Sequence, residues 1–381
     1  MPTNFLKSLE HGFKKSVFNL ARPFLKKGRQ DFTYIDATKI KKVVFIRPEK
    51  LGDMIISLPV FYNLKTRYPH LELYTICSPK NIAIIREDRN LSGNFLYTKN
   101  ARDDFKMLQR VRSLGMDVAV DMICDDSVTA LFLSQYCSTS AWRIGVGKYK
   151  HSRYYDFNFA CRTGRGLGSG EKRLNRPEDG HVLDNTLGLL TAFGMNLDDM
   201  ERYVPPTIPD ASREKAECFI EALPPNRGLL IGYNISAGRP SRVWPMDKNI
   251  QLINLILKEY PESYIIISCD PCERRRALDL TGKFDKLVSI VPEGLNLLDV
   301  TALISKFDIL ITPDTSLVHI ARSFKIPVVG LYTQFGHNFE LWKPYGQIGG
   351  TVISGNDYNI FDIEVSEVVK SFNEMIAMVS R

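Results

Sequence analysis

The stretch Ile309–Tyr332 constrains the fold more than any other part of the chain. It reads as a buried strand from Ile309, a polar turn at Asp314-Thr315-Ser316, a helix opening under Leu317, and a second buried strand from Pro327. An apolar run of strand length without alternation has both faces covered, as parallel strands do in α/β sheets. Where such a strand hands over to a helix, the first turn leaves backbone N–H groups unpaired at the positive end of the helix dipole. Diphosphates bind at such places. Asp, Thr and Ser are also the preferred helix N-caps, so capping alone accounts for this turn equally well.

The same strand–turn–helix scheme runs through the rest of the sequence. Val43–Arg47 is a strand candidate, Pro48–Asp53 a tight turn, and Met54–Tyr68 a helix that stops at Pro69. Leu71–Ile76, Asn94–Tyr97 and Val118–Asp121 are further strands, with helical patterns between several of them. Residues 145–180 break the rhythm. Gly164, Gly166, Gly168 and Gly170 alternate there among Arg162, Arg165, Lys172, Arg173 and Arg176, which predicts a mobile basic loop. Helical periodicity returns over His181–Phe193, and prolines at 205, 206, 209, 224 and 225 bracket a short helix between two domains. Beyond them, strands at Gly228–Asn234, Tyr264–Ser268 and Leu287–Val291 alternate with helices at Asp247–Tyr260, Glu273–Thr281 and Leu298–Lys306; Ile363–Val379 is the last helix. Alternation of this kind predicts an α/β protein with two parallel-sheet units facing across a cleft. The expected divisions are a basic extension at 1–40, a first domain at 41–205, a linker at 206–226, a second domain at 227–360 and a helix at 361–381.

At 381 residues the chain is too long for one typical core and suits two domains. No apolar run reaches the roughly 18 residues of a membrane span. The seven cysteines are scattered and no secretory signal is evident, so free thiols in a reducing cytoplasm are expected. Cys269-Asp-Pro-Cys272 stands where a thioredoxin-type pair would, but the chain far exceeds a thioredoxin unit and no second pair completes a zinc site. Most of the formal charge of +7 lies at one end, where residues 1–40 hold eight Lys/Arg against three acidic residues. Phe5, Leu9, Phe13, Val17, Leu20 and Phe24 define one helical face in that segment. Basic residues flank it, as in helices that lie on anionic bilayers. A helix packed on the protein body with a solvated basic side has the same pattern.

Beside the Asp314 turn, two more turns carry residues suited to chemistry. In Arg47-Pro-Glu-Lys-Leu-Gly-Asp53, at the carboxyl end of a strand, Gly52 permits close backbone approach and Asp53 stands at a helix start. A carboxylate there can take a proton from an alcohol aligned for attack, although Asp at a helix start is also simply stabilising. In Asn234–Pro245, Ser236 and Gly238 belong to a polar loop, and Arg239 and Arg242 suit charge developing on a leaving diphosphate. Surface arginines near a turn read the same way. The sequence has no G-x-G-x-x-G, no G-x-x-x-x-G-K-[ST] and no Asp-x-Asp, so neither a dinucleotide fingerprint, a phosphate loop nor an anchor for a diphosphate-bridging metal is expected.

Taken in order, Lys50-Leu-Gly-Asp53, Arg242-Val-Trp-Pro245 and Pro313-Asp-Thr-Ser-Leu-Val-His319-Ile-Ala, followed by Pro327-Val-Val-Gly-Leu, resemble the bacterial heptosyltransferases of glycosyltransferase family nine. The resemblance spans about Lys41 to Tyr345. It implies a GT-B fold, two Rossmann-like domains with the acceptor on the first and a nucleotide sugar on the second. It implies inverting, metal-independent transfer of a heptose from ADP-heptose to a lipid-anchored lipopolysaccharide core, with Asp53 as the base. Arg242 then matches the family's diphosphate contact, and Asp314, Thr315, Ser316 and His319 surround the donor with Ser236 and Arg239. Glu273 matches a glutamate that contacts the nucleoside. Lys50, Arg162, Arg165, Lys172 and Arg173 fall to the acceptor side. The family usually has Gly at Ser316 and Lys at Arg242, and arginine is not a neutral replacement for lysine. The expected location is the inner face of the bacterial inner membrane, reached through the N-terminal helix, with no metal, no other cofactor and no nucleic-acid partner. A transferase with another donor and surface glycan, or a non-catalytic nucleotide-sugar-binding relative, are the alternatives.

Overall fold

A computed structural model describes residues 18–29, 31–137, 141–160, 180–225, 227–284, 286–335 and 338–379. Among these residues the strands form two sheets of six, all parallel. The first holds β1 (Lys42–Ile46), β2 (Glu72–Cys77), β3 (Gly93–Leu96), β4 (Val118–Asp121), β5 (Trp142–Val146) and β6 (Phe157–Phe159), ordered β3-β2-β1-β4-β5-β6. The second holds β7 (Leu230–Asn234), β8 (Tyr264–Ser268), β9 (Val288–Ile290), β10 (Ile309–Pro313), β11 (Val328–Tyr332) and β12 (Thr351–Ile353), ordered β12-β11-β10-β7-β8-β9. Both sheets therefore wind the same way. Strand order reverses between β1 and β4 and again between β7 and β10, and open α/β sheets take ligands beyond the carboxyl ends of strands at such switch points.

Composition explains which strands lie in the middle. Val43–Ile46 of β1, all of β4, and Ile309–Ile311 of β10 are buried on both faces, as runs without alternation must be. Helices α1 (Leu51–Arg67), α2 (Ala101–Ser113), α3 (Val128–Cys137) and α4 (Val182–Leu187) belong to the first half. Helix α5 (Asp210–Glu221) lies in the proline-bracketed segment; α6 (Met246–Glu259), α7 (Arg274–Thr281), α8 (Leu297–Ile304), α9 (Ser316–Ser323), α10 (Asn338–Trp342) and α11 (Val365–Val379) follow. Helix α5 packs on α8, where Ser212 Oγ and Lys215 Nζ reach the buried Asp299 carboxylate at 2.7 and 2.9 Å. Helices α1 and α9, which follow β1 and β10, pack against each other and bring the two sheets face to face. This is the GT-B arrangement.

Two regions depart from the sequence reading. Residues 145–180 do not begin as a loop: β5 runs to Val146, a 3-10 turn spans Ser152–Tyr154, and β6 adds an edge strand at Phe157–Phe159. The strand is only three residues long, too short to leave a periodic signature. Arg162, Arg165, Lys172 and Arg173 lie outside the described residues, as do Phe5, Leu9, Phe13 and Val17. Of the predicted N-terminal face, Leu20 and Phe24 are 77% and 86% exposed. Phe18 and Leu25, which lie off that face, pack against Leu131, Tyr154 and Tyr155. No helix among the described residues is long and apolar enough to cross a membrane.

Candidate active site

A cleft of about 1390 Å³ opens where the carboxyl ends of the two sheets face each other. Its first wall is the turn Pro48–Asp53 with Ser78–Lys80 and Tyr97–Lys99; its second includes Asn234, Ser236–Arg239, Arg242, Ser268–Pro271 and Asp314–Leu317. Each of these segments follows a strand, so the topology alone gathers them.

On the first wall Lys50 is the N-cap of α1 and Asp53 stands three residues in, with Lys50 N donating to Asp53 Oδ2 at 3.2 Å. That bond satisfies one N–H at the helix start and fixes the carboxylate at the mouth of the cleft. Arg47, the residue after β1, is a buried cation. Its Nη1 donates to Glu49 Oε2 at 2.8 Å and to the Met122 carbonyl, its Nε to Asp53 O at 3.2 Å, and its Nη2 lies 3.5 Å from Asp53 Oδ1. The Glu49 carboxyl is pushed up to about 7, first by burial; Asp53 and Asp121 add to the rise, while Arg47 and Lys148 oppose it. Behind this turn the fully buried Lys148 Nζ meets Asp121 Oδ2 at 2.8 Å, and Tyr155 OH donates to the same oxygen at 2.6 Å.

The second wall is the N-terminus of α9. Thr315 caps it, its Oγ1 accepting from Leu317 N at 3.3 Å. Asn234, at the end of β7, donates from Nδ2 to Thr312 Oγ1 at 2.9 Å and Thr315 Oγ1 at 3.5 Å, which ties the switch-point strands β7 and β10 to the cap. The first N–H groups of an α-helix have no intrahelical partner, so Thr315 and Ser316 present an anion-binding end to the cleft. Arg242 Nη1 pairs with Asp314 Oδ2 at 2.7 Å. Burial pushes the Asp314 carboxyl up, with Arg242, Lys50 and Arg239 acting against the rise. His319 is buried in α9, and burial pushes it down to about 4 although Asp53 favours its cation.

The walls nearly touch at Gly52, where an added Cβ would lie 3.1 Å from His319 Cδ2 and 3.7 Å from Ser316 Cα. No other residue fits this approach without displacement. Asp53, Lys50, Ser236, Arg239, Arg242, Asp314, Thr315, Ser316 and His319 thus share one cleft. Glu273 stands behind it, its Oε2 accepting from Ser236 Oγ at 2.5 Å. Arg47, Glu49 and Asn234 were not singled out from the sequence. The available signal was their place, since each sits at or just past the carboxyl end of a switch-point strand. Among the described residues, no group of three or more His, Cys, Asp or Glu is placed to hold a metal ion.

The model of glycosyltransferase family 9 (heptosyltransferase) matches residues 140–366. The chain belongs to that family. This glycosyltransferase is 23% identical over 318 residues to the lipopolysaccharide core heptosyltransferase OpsX of Haemophilus influenzae, with 82% of this chain and 84% of the relative covered. Among solved structures it is similar to the glycosyl transferase family 9 protein of Veillonella parvula, with a TM-score of 0.69 at 16% identity over 89% of this chain and 97% of that one. It is also similar to E. coli heptosyltransferase WaaC with ADP-2-deoxy-2-fluoro heptose, at a TM-score of 0.63 and 14% identity over 87% and 99%. At those identities the two structures speak for the fold. In this family 9 chain the cleft sets the Asp53 carboxylate on one wall opposite the N-terminus of α9 on the other.

Proposed function

We propose that this enzyme transfers a heptose from ADP-heptose to a sugar of the lipopolysaccharide core, with inversion and without a metal ion. The observation that carries the reading is the meeting of Asp53 and the Thr315–Ser316 helix end in one cleft, with Gly52 as the point of near contact. The acceptor hydroxyl gives its proton to the Asp53 carboxylate as its oxygen bonds to the anomeric carbon. The bond from that carbon to the diphosphate oxygen breaks, and the charge left on the diphosphate is met by the N–H groups of Thr315 and Ser316 and by Arg242. Arg242 makes its Asp314 contacts through Nη1, and a guanidinium carries further N–H donors for phosphate oxygens. A fixed guanidinium and a helix end supply the charge compensation that a divalent ion would otherwise provide. Membership of the heptosyltransferase family and the likeness to the H. influenzae lipopolysaccharide core heptosyltransferase support a heptose as the transferred sugar and the core as its acceptor.

The acceptor is lipid-anchored, and the exposed Leu20 and Phe24 beside the exposed Arg22 and Lys27 suit the surface of an anionic bilayer. Deleting residues 1–35 then lowers sedimentation with anionic vesicles; unchanged sedimentation removes this part of the reading.

The test is transfer by purified protein in EDTA, with ADP-heptose, UDP-sugars and GDP-sugars offered to a truncated lipopolysaccharide acceptor. EDTA-resistant transfer from ADP-heptose, lost in Asp53→Ala with donor binding retained, is the expected outcome. Transfer from a different donor discards the heptose, and activity in Asp53→Ala discards the base.

A further inference from the structure

We propose that Arg47 is a positioning residue for Asp53, and that Glu49, gripped by the same guanidinium, is a second carboxylate whose charge tunes Asp53 as a base. The inference rests on the reading of Asp53 given above. Arg47 is one buried cation, its side chain 2% exposed, serving two carboxylates. The Met122 carbonyl and Glu49 Oε2 hold Nη1, and Asp53 O holds Nε, so the plane of the guanidinium is set from two sides. Nη2 is buried without a hydrogen bond and stands 3.5 Å from Asp53 Oδ1. A buried guanidinium atom left in this way is costly, and the Asp53 carboxylate is the group that a small closing movement would bring to it.

The surroundings leave the charge of this trio to its own members. From the end of β4 and the segment after β5, Asp121 and Lys148 form a neutral buried pair, with Tyr155 OH on the carboxylate. Cys124 faces Arg47, and His319 of α9 faces Asp53. Lys50 meets the Asp53 carboxylate through its N–H, and its charge acts on Asp314. With Glu49 ionised, two carboxylates share one guanidinium; with Glu49 protonated, Arg47 serves Asp53 alone. A carboxylate that shares its cation with a second negative charge is the better proton acceptor. Burial, with Asp53 and Asp121, pushes the Glu49 carboxyl up to about 7 against the pull of Arg47 and Lys148.

The experiment is kcat and donor KM for ADP-heptose against pH on both sides of 7, for wild type, Glu49→Gln, Arg47→Lys and Asp53→Ala. Glu49 sits at the cleft rim, so its amide is expected to fold. Wild-type kcat should rise through about pH 7. Glu49→Gln should lose that rise and fall roughly threefold to tenfold in kcat above it, well short of the loss of a base, with donor KM unchanged. Arg47→Lys keeps the charge without the fork and should lower kcat further at unchanged donor KM. If Asp53→Ala is inactive and Glu49→Gln keeps both the wild-type kcat and its pH profile, this inference is wrong and the base stands. If Asp53→Ala still transfers, both readings fall together.

Discussion

Arg242 and Asp314 are bound to one another on the donor wall: Nη1 lies 2.7 Å from Asp314 Oδ2 and donates to the Asp314 carbonyl at 3.4 Å. Read from the sequence, each has its own role toward the nucleotide sugar. In the fold they form one unit through Nη1, and under the proposed function the remaining N–H groups of the same guanidinium meet the diphosphate.

Arg242→Met should therefore weaken ADP binding by about 1.5–3 kcal/mol, the worth of a hydrogen bond to a charged group. That is roughly a tenfold to hundredfold rise in Kd by titration calorimetry. Arg242→Lys should fall between the two, since it keeps charge and loses the fork. Unchanged ADP affinity in Arg242→Met would remove the arginine from the diphosphate.

Gly52 offers a steric test of the meeting between the walls. The alanine methyl would lie 3.1 Å from His319 Cδ2, and His319 is held between Trp342 and His181, with ring centroids at 5.8 and 6.4 Å. Overpacking of this kind costs about 1–3 kcal/mol. Gly52→Ala should lower Tm and transfer activity together, and His319→Ala in the same chain should restore much of the Tm. A Gly52→Ala protein with wild-type Tm would show that α1 and α9 part easily.

Much of this was legible in the sequence, and the failures have physical causes. The central strands are apolar on both faces and short of alternation, so Ile309–Pro313 and Val118–Asp121 can be read from composition alone. At the edges the signal is uneven: β3 and β9 could be read, whereas β6 and β12, three residues each, and α10, of five, could not. The residues at the start of α1 and α9 were legible because strand ends and helix starts fix their place. What no sequence pattern carries is pairing between distant residues. Arg242 with Asp314, Ser236 with Glu273, and Lys148 with Asp121 are set by strand order, and so is the sharing of Arg47 by Glu49 and Asp53.

Lys148 and Asp121 test how far that buried charge supports the first domain. Both side chains are fully buried, 2.8 Å apart, and Lys148 Nζ also donates to the Ile123 and Asp125 carbonyls at 2.5 and 2.8 Å. Removing one partner strands the other, at about 3–5 kcal/mol. Lys148→Met should shift the urea midpoint down accordingly, whereas Lys148→Met with Asp121→Asn should recover part of the loss. If the double variant is no more stable than the single one, desolvation of Asp121 is not what Lys148 offsets.

Two imidazoles at the junction of the lobes should make the fold acid-sensitive. His181 Nδ1 accepts from Leu183 N at 3.0 Å, and its Nε2 lies 2.9 Å from the Lys343 carbonyl, so the neutral tautomer with the proton on Nε2 satisfies both atoms. A second proton would break the cap of α4. Burial first, then His319 and Lys343, push His181 down to about 3 despite the opposing Lys343 carbonyl; burial pushes His319 down to about 4. Unfolded, each titrates near 6.5. The unfolded chain then binds more protons below pH 6.5, so stability is complete above that value and is lost as pH falls toward the folded values. Each imidazole should contribute a slope approaching 1.4 kcal/mol per pH unit between about 6 and 4. His181→Asn keeps an acceptor for Leu183 N and cannot protonate. Its urea midpoint should fall less steeply with pH than that of wild type, and parallel curves would mean that His181 is already charged, or already free, in the folded protein.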